Sequence, residues 1–128
     1  MKLKAPVFAL ALAAFAGHAM AASVAGHWVG EVKLPTGQAL PFIADLSQSG
    51  ETVSGKLAGI NGAPDVQVMD GMLVGERLTF WGIRTAGAAQ VKFNYVGVVG
   101  PEAIDIQILR DDGSAAPLAT RLTRAAAR

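Results

Sequence analysis

The sequence has 128 residues with no cysteine and two histidines, and its formal net charge is +1. The lack of cysteine excludes disulfides, thiolate zinc sites and cysteine nucleophiles. A nearly balanced charge without a basic cluster argues against binding to nucleic acid or to an anionic membrane surface. No metal-ligand cluster and no cofactor motif stands out, so we expect neither a metal nor a cofactor.

Residues 1–21 have the three parts of a secretory signal peptide: a basic start, an apolar run and a small-residue ending. Lys2 and Lys4 form the start, and Ala19-Met20-Ala21 forms an A-x-A cleavage site. The apolar run is too short to be a membrane span, because a spanning helix needs ~20 apolar residues. We therefore predict cleavage before Ala22, no membrane span afterwards, and a periplasmic or secreted protein.

Residues 22–128 are predicted to form a single domain with a net charge of −1, since Lys2 and Lys4 are removed with the leader. Short segments of alternating polarity, separated by turn residues, predict an all-β fold. Eight strands are expected: 25–34, 39–48, 52–58, 66–74, 77–84, 90–99, 103–110 and 117–124.

Eight strands joined by short connections predict an antiparallel up-and-down meander that closes into a β-barrel and so removes its own edges. An open two-sheet sandwich is the alternative. The connections after strands two, four and six are tight, whereas those after strands three, five and seven are longer. Alternate connections of a meander lie at opposite ends, so we expect a closed end with tight turns and an open end with looser loops, where a ligand would bind.

The stretch Gly26-His27-Trp28 resembles the Gly-x-Trp motif of the calycin superfamily, the lipocalins and smaller relatives such as avidins. The resemblance implies a barrel whose closed end carries this tryptophan, with a basic residue from the end of the last strand packed across it. Arg121 and Arg124 are the candidates for that closing residue, and strand alternation favours Arg124. The resemblance implies an architecture and names no ligand.

Large aromatic residues fall on the predicted inner faces, which indicates a mostly filled interior with a shallow pocket at the open end. This pocket predicts binding of a small apolar molecule. The candidate ligand-binding residues are Phe42, Asn61, Arg84, Phe93, Tyr95 and Arg110.

Apolar residues also fall on the predicted outer faces, which indicates a homodimer or a protein partner on the outside of the barrel. This outer set comprises Val29, Ile43, Val96 and Val98, with either Trp81 and Ile83 or Leu78 and Phe80.

The polar residues do not predict a catalytic site. His27 alternates with Trp28 and should face solvent, and Asp70 shares its parity with apolar neighbours, so an inward Asp70 would need a partner such as Arg77 or Tyr95. We therefore predict an exported binding or interaction module and assign no catalytic residue. Two alternatives remain open: a hydrolase that uses the loop carboxylates Asp65 and Asp112, and a purely structural accessory domain.

Overall fold

The computed structural model describes residues 23–125, which form nine antiparallel strands and no helix. No helix in this range is therefore long and apolar enough to cross a membrane. The predicted leader, residues 1–21, lies outside the described residues. The strands are β1 (Gly26–Lys33), β2 (Ala39–Ser49), β3 (Thr52–Leu57), β4 (Val66–Gln67), β5 (Met69–Val74), β6 (Arg77–Ala86), β7 (Ala89–Val99), β8 (Ala103–Arg110) and β9 (Leu118–Arg124).

The strands form a closed up-and-down barrel, which confirms the predicted fold class. Each strand pairs with its neighbour in sequence, except that β3 pairs with both β4 and β5. The last strand then returns to the first, where Trp28 pairs with Arg124 and Val29 with Thr123. The sandwich alternative is wrong, because one continuous sheet runs around the whole barrel.

The ninth strand arises because the predicted fourth strand is interrupted by a bulge. The register between β5 and β6 shifts between Met69 and Met72, and Asp70 has a φ of +49°. An extra residue in a strand reverses the facing of the residues that follow it. Val68 therefore points inward while Met72 and Val74 point outward, although all three share one parity in the sequence.

Asp70 is exposed on this bulge and needs no buried partner. Its Oδ2 accepts a hydrogen bond of 2.8 Å from the indole Nε1 of Trp81 on the outer wall. The expected pairing of an inward Asp70 with Arg77 or Tyr95 is therefore wrong, and the reason is again the bulge.

The core fills the closed half of the barrel. Its largest fully buried side chains come from strands all around the barrel and from Val24, just before β1: Trp28, Tyr95, Leu57, Leu78, Ile104, Leu122, Val24, Val53 and Val66. Alternation predicted the buried face correctly for six of the eight predicted strands. These are the first to third and the sixth to eighth in chain order. The buried side chains pack against one another beneath the open end.

The closed end is built around Trp28, which is 0% exposed. Its Nε1 donates a 2.9 Å hydrogen bond to the carbonyl of Val24, and the Arg124 guanidinium lies over the indole at 4.3 Å from the ring centroid. Arg124 also donates to the carbonyls of Ser23 and Ala25, each at 3.0 Å. Arg124 of β9 thus fixes the position of the residues that precede β1.

Arg121 does not take part in this closure. It lies on the outer face of β9, where its Nη1 pairs with Asp105 of β8 at 3.1 Å. Strand alternation explains the difference, because Arg121 and Arg124 stand three residues apart and so face opposite sides.

The outer wall presents apolar side chains on β5, β6 and β7. Of the two alternatives for β6, Leu78 and Phe80 are buried, while Trp81 and Ile83 face outward. The exposed large apolar residues of the described chain are Met69, Met72, Val74, Ile83 and Val98. Homodimer formation or partner binding through this wall stays a prediction.

Candidate ligand-binding cavity at the open end

An apolar cavity of about 160 Å³ lies inside the open end of the barrel. Side chains from β1, β2 and β6 to β9 surround it, together with one residue from the turn between β1 and β2 and one from the loop between β3 and β4. Its lining consists of Val32, Leu34, Leu40, Pro41, Phe42, Ile60, Arg84, Phe93, Tyr95, Ile108 and Leu118. Arg84 supplies the positive charge of this lining and Tyr95 its hydroxyl.

Four of the six candidate ligand residues meet at this cavity: Phe42, Arg84, Phe93 and Tyr95. They stand on three different strands, and each occupies the inward-facing position of its strand near the open end. The sequence could place them together because alternation determines the facing and the meander determines the end.

Asn61 and Arg110 do not line the cavity. Asn61 is exposed in a turn with a φ of +55°, and its neighbour Ile60 reaches the cavity instead. Arg110 lies at the rim, where its Nε is 3.5 Å from Asp112 Oδ1. Both residues lie near the open end without being part of the cavity lining, and their role in ligand binding stays a prediction.

Sequence reasoning missed Ile60 because it lies in a loop without periodic polarity. The loop, residues 58–65, is held in place by the side chain of Asp65. The Gly59 N–H donates a 2.9 Å hydrogen bond to Asp65 Oδ1, and Lys56 Nζ lies 3.6 Å from the other carboxylate oxygen. A Cβ on Gly59 would stand 1.8 Å from the carbonyl oxygen of Ala63, so only glycine permits this close packing. The loop therefore presents Ile60 from a fixed position.

Tyr95 forms the floor of the cavity and is 1% exposed. Its ring stacks on Phe80 with centroids 4.6 Å apart and meets the edge of Phe42 at 6.0 Å. Aromatic pairs of this geometry contribute about 0.5–1.5 kcal/mol beyond area burial, so the ring is fixed in place. Its hydroxyl, in contrast, has no hydrogen-bond partner among the described residues.

Burial of the phenol raises the pKa of Tyr95 above its ordinary value, and the charge of Arg84 offsets this shift only in part. We expect alkaline titration to show it directly, because the chain contains a single tyrosine. Tyrosinate absorbance should appear above the ordinary pKa of about 10 in the folded protein. The unfolded state then loses its proton first, so the stability that the neutral phenol contributes declines as the pH rises through this window.

The control for this titration is the same protein in concentrated urea, where tyrosinate should appear at the ordinary pKa. A folded-state titration at or below that value would mean that Tyr95 is solvated or that Arg84 dominates its environment.

Asp65 and Asp112, the two loop acids of the hydrolase alternative, accept hydrogen bonds from backbone N–H groups and do not face a common site. Hydrogen bonding from the Gly59 N–H lowers the pKa of Asp65, and hydrogen bonds from Ser114 lower the pKa of Asp112. A general acid needs a raised pKa near the working pH, so neither carboxyl group fits that role. No group of three or more potential metal ligands occurs within residues 23–125.

His27 faces outward as predicted and contacts a carboxylate that the sequence did not reveal. Its Nδ1 pairs with Oδ1 of Asp45, which stands directly opposite on β2. The contact lines a depression on the outer wall that shares no residue with the apolar cavity. Cross-strand partners of this kind depend on register, which a single strand's sequence does not specify.

Comparison with protein-family models, curated proteins and solved structures gives no match for this chain. The closed eight-stranded barrel and the contact between Trp28 and Arg124 are compatible with the calycin-like architecture that Gly26-x-Trp28 implies.

Proposed function

We propose that this barrel is an exported binding module that holds one small apolar molecule in the cavity at its open end. The observation that carries the proposal is the cavity itself: about 160 Å³ of apolar-lined space above a buried apolar core. An apolar cavity of ~150 Å³ in a protein core is large enough to take up benzene. The expected ligand is therefore about the size of a single ring.

The arrangement of the lining supports binding rather than loose packing. Phe42 and Tyr95 are buried and locked against each other, so the floor is preformed. Side chains beside an unfilled space lose dispersion contacts that a ligand of matching shape restores. Leu34, Leu40 and Leu118 at the entrance are partly exposed and can give way as a ligand enters.

A pair of tryptophan variants tests the proposal. Leu118→Trp places a large side chain in the cavity, and Leu109→Trp places the same side chain on the neighbouring strand β8, outside the lining. We expect the parent protein and Leu109→Trp to bind toluene saturably in NMR titrations. Shifts should centre on amides around Tyr95, and Leu118→Trp should lose at least about tenfold in affinity because its cavity is filled.

No saturable shift with toluene, benzene or cyclohexane in the parent protein would overturn the proposal. Equal binding by the parent and Leu118→Trp would also overturn it, because the ligand would then occupy another site. A contact between two copies through Val74 and Val98 on the outer wall is independent of this test and stays a prediction.

A further inference from the structure

Two side chains of the cavity, Tyr95 and Arg84, can donate hydrogen bonds, and no side chain of the lining accepts the Tyr95 proton, which restricts the chemistry of the ligand. The Tyr95 hydroxyl is buried and its proton has no acceptor among the described residues, while the guanidinium of Arg84 is the charged group near it. A guanidinium has five N–H donors and no acceptor. Arg84 therefore cannot accept the hydroxyl proton of Tyr95, whichever way its side chain turns.

An unpaired buried hydroxyl is costly, and native proteins leave few of them. Three neighbours of Tyr95 in the lining, Phe42, Phe93 and Ile108, have apolar side chains that offer no acceptor. The strand carbonyls around it are engaged in the pairing of β6, β7 and β8. The missing acceptor must therefore come from whatever enters the cavity.

Arg84 adds the requirement for negative charge. It stands on the inward face of β6, two residues beyond Gly82 toward the open end, and no ion pair within residues 23–125 involves it. The other rim cation, Arg110, is paired with Asp112. The positive charge that faces the cavity is thus available to a ligand.

We propose that the ligand of this cavity is a ring-sized carboxylate, whose apolar ring fills the cavity and whose two oxygens accept hydrogen bonds from Tyr95 and Arg84. The inference rests on the proposed function and specifies its ligand. A carboxylate supplies two acceptors on one carbon and pairs with a guanidinium in a charge-assisted contact. A long-chain acid does not fit, because Trp28, Leu78 and Leu122 fill the barrel beneath the cavity.

Benzoate and benzyl alcohol are the matched probes, because they share a ring and differ in the charged acceptor. Isothermal titration at neutral pH should show benzoate binding at least about tenfold more tightly than benzyl alcohol. Arg84→Gln and Tyr95→Phe should each reduce this preference about tenfold through weaker benzoate binding, with little change for benzyl alcohol. Arg77→Gln is the control, since it removes the same charge from the outer face of the same strand.

Two further readouts separate recognition from folding. Tyr95→Phe should unfold at the same or a higher temperature than the parent, because it removes an unpaired buried hydroxyl. Bound benzoate should raise the pKa of Tyr95 further, since a carboxylate beside the phenol disfavours the phenolate, whereas benzyl alcohol should not.

The outcomes distinguish the two proposals. If benzyl alcohol and toluene bind as tightly as benzoate, the cavity binds apolar ligands and the carboxylate inference is wrong. If none of the three binds, the proposed function is wrong as well. A benzoate preference that Arg77→Gln abolishes as strongly as Arg84→Gln would place the carboxylate outside the cavity and overturn the inference.

Discussion

Truncation of Trp28 to alanine should lower the free energy of unfolding by about 3–5 kcal/mol, the range for large aromatic side chains removed from a core. The side chain is fully buried and packs at the closed end. It also donates a hydrogen bond to the Val24 carbonyl and is covered by the guanidinium of Arg124. Urea denaturation monitored by far-ultraviolet circular dichroism measures the loss.

The other tryptophan provides the matched control. Trp81 lies on the outer wall, where it donates to Asp70 and is covered by Lys92 at 4.4 Å from the ring centroid. Its replacement by alanine removes one exposed hydrogen bond and one cation–π contact, so the expected loss is about 1 kcal/mol. Equal losses for the two variants would mean that Trp28 does not organise the closed end.

Gly30→Ala should disturb the seam, meaning the pairing of β1 with β9 that closes the barrel. It should lower the free energy of unfolding by about 2–3 kcal/mol, as overpacking in a rigid environment does. A Cβ at Gly30 would stand 2.5 Å from the carbonyl oxygen of Arg121 and 2.9 Å from a methyl group of Leu122. The carbonyl belongs to the backbone of β9, so the strand itself must move. We expect faster amide hydrogen exchange across the seam, including the Ala125 N–H that donates to the His27 carbonyl.

Gly100→Ala is the control for this variant. Its Cβ would stand 3.5 Å from the Ala103 carbonyl oxygen, an ordinary contact, and its φ does not require glycine. The change should therefore lie within about 0.5 kcal/mol of the parent, as neutral surface substitutions do. A Gly30→Ala protein as stable as Gly100→Ala would show that the seam is loosely packed, contrary to the geometry.

Much of the barrel could be predicted because alternation and turn residues act locally. The burial of Phe42 and Tyr95 followed from period-two patterns, and Gly75 marked a tight turn that the structure contains. The bulge at Asp70 could not be predicted, because its reversal of facing depends on how β5 meets both β3 and β6. The loop expected at 85–89 is also shorter than predicted, since β6 and β7 continue to a two-residue turn.

The candidate cavity was predictable where it is built from strands and unpredictable where it depends on loops. Phe93 followed from parity and Arg84 from its position at the open end of its strand, whereas Ile60 depends on the turn that Gly59 and Asp65 hold. The unpaired state of the Tyr95 hydroxyl could not be read from sequence, because it depends on which neighbours surround it in space.

The bond network of Arg124 has a kinetic consequence. Its two carbonyl partners, Ser23 and Ala25, precede it by 101 and 99 residues, so the contacts that shut the barrel join opposite ends of the described chain. Pairing over such a separation is slow, because the entropy of loop closure opposes it before the contacts form. The β1 edge that pairs with β9 therefore stays unpaired until the last strand docks, and the barrel cannot close on a chain that lacks β9.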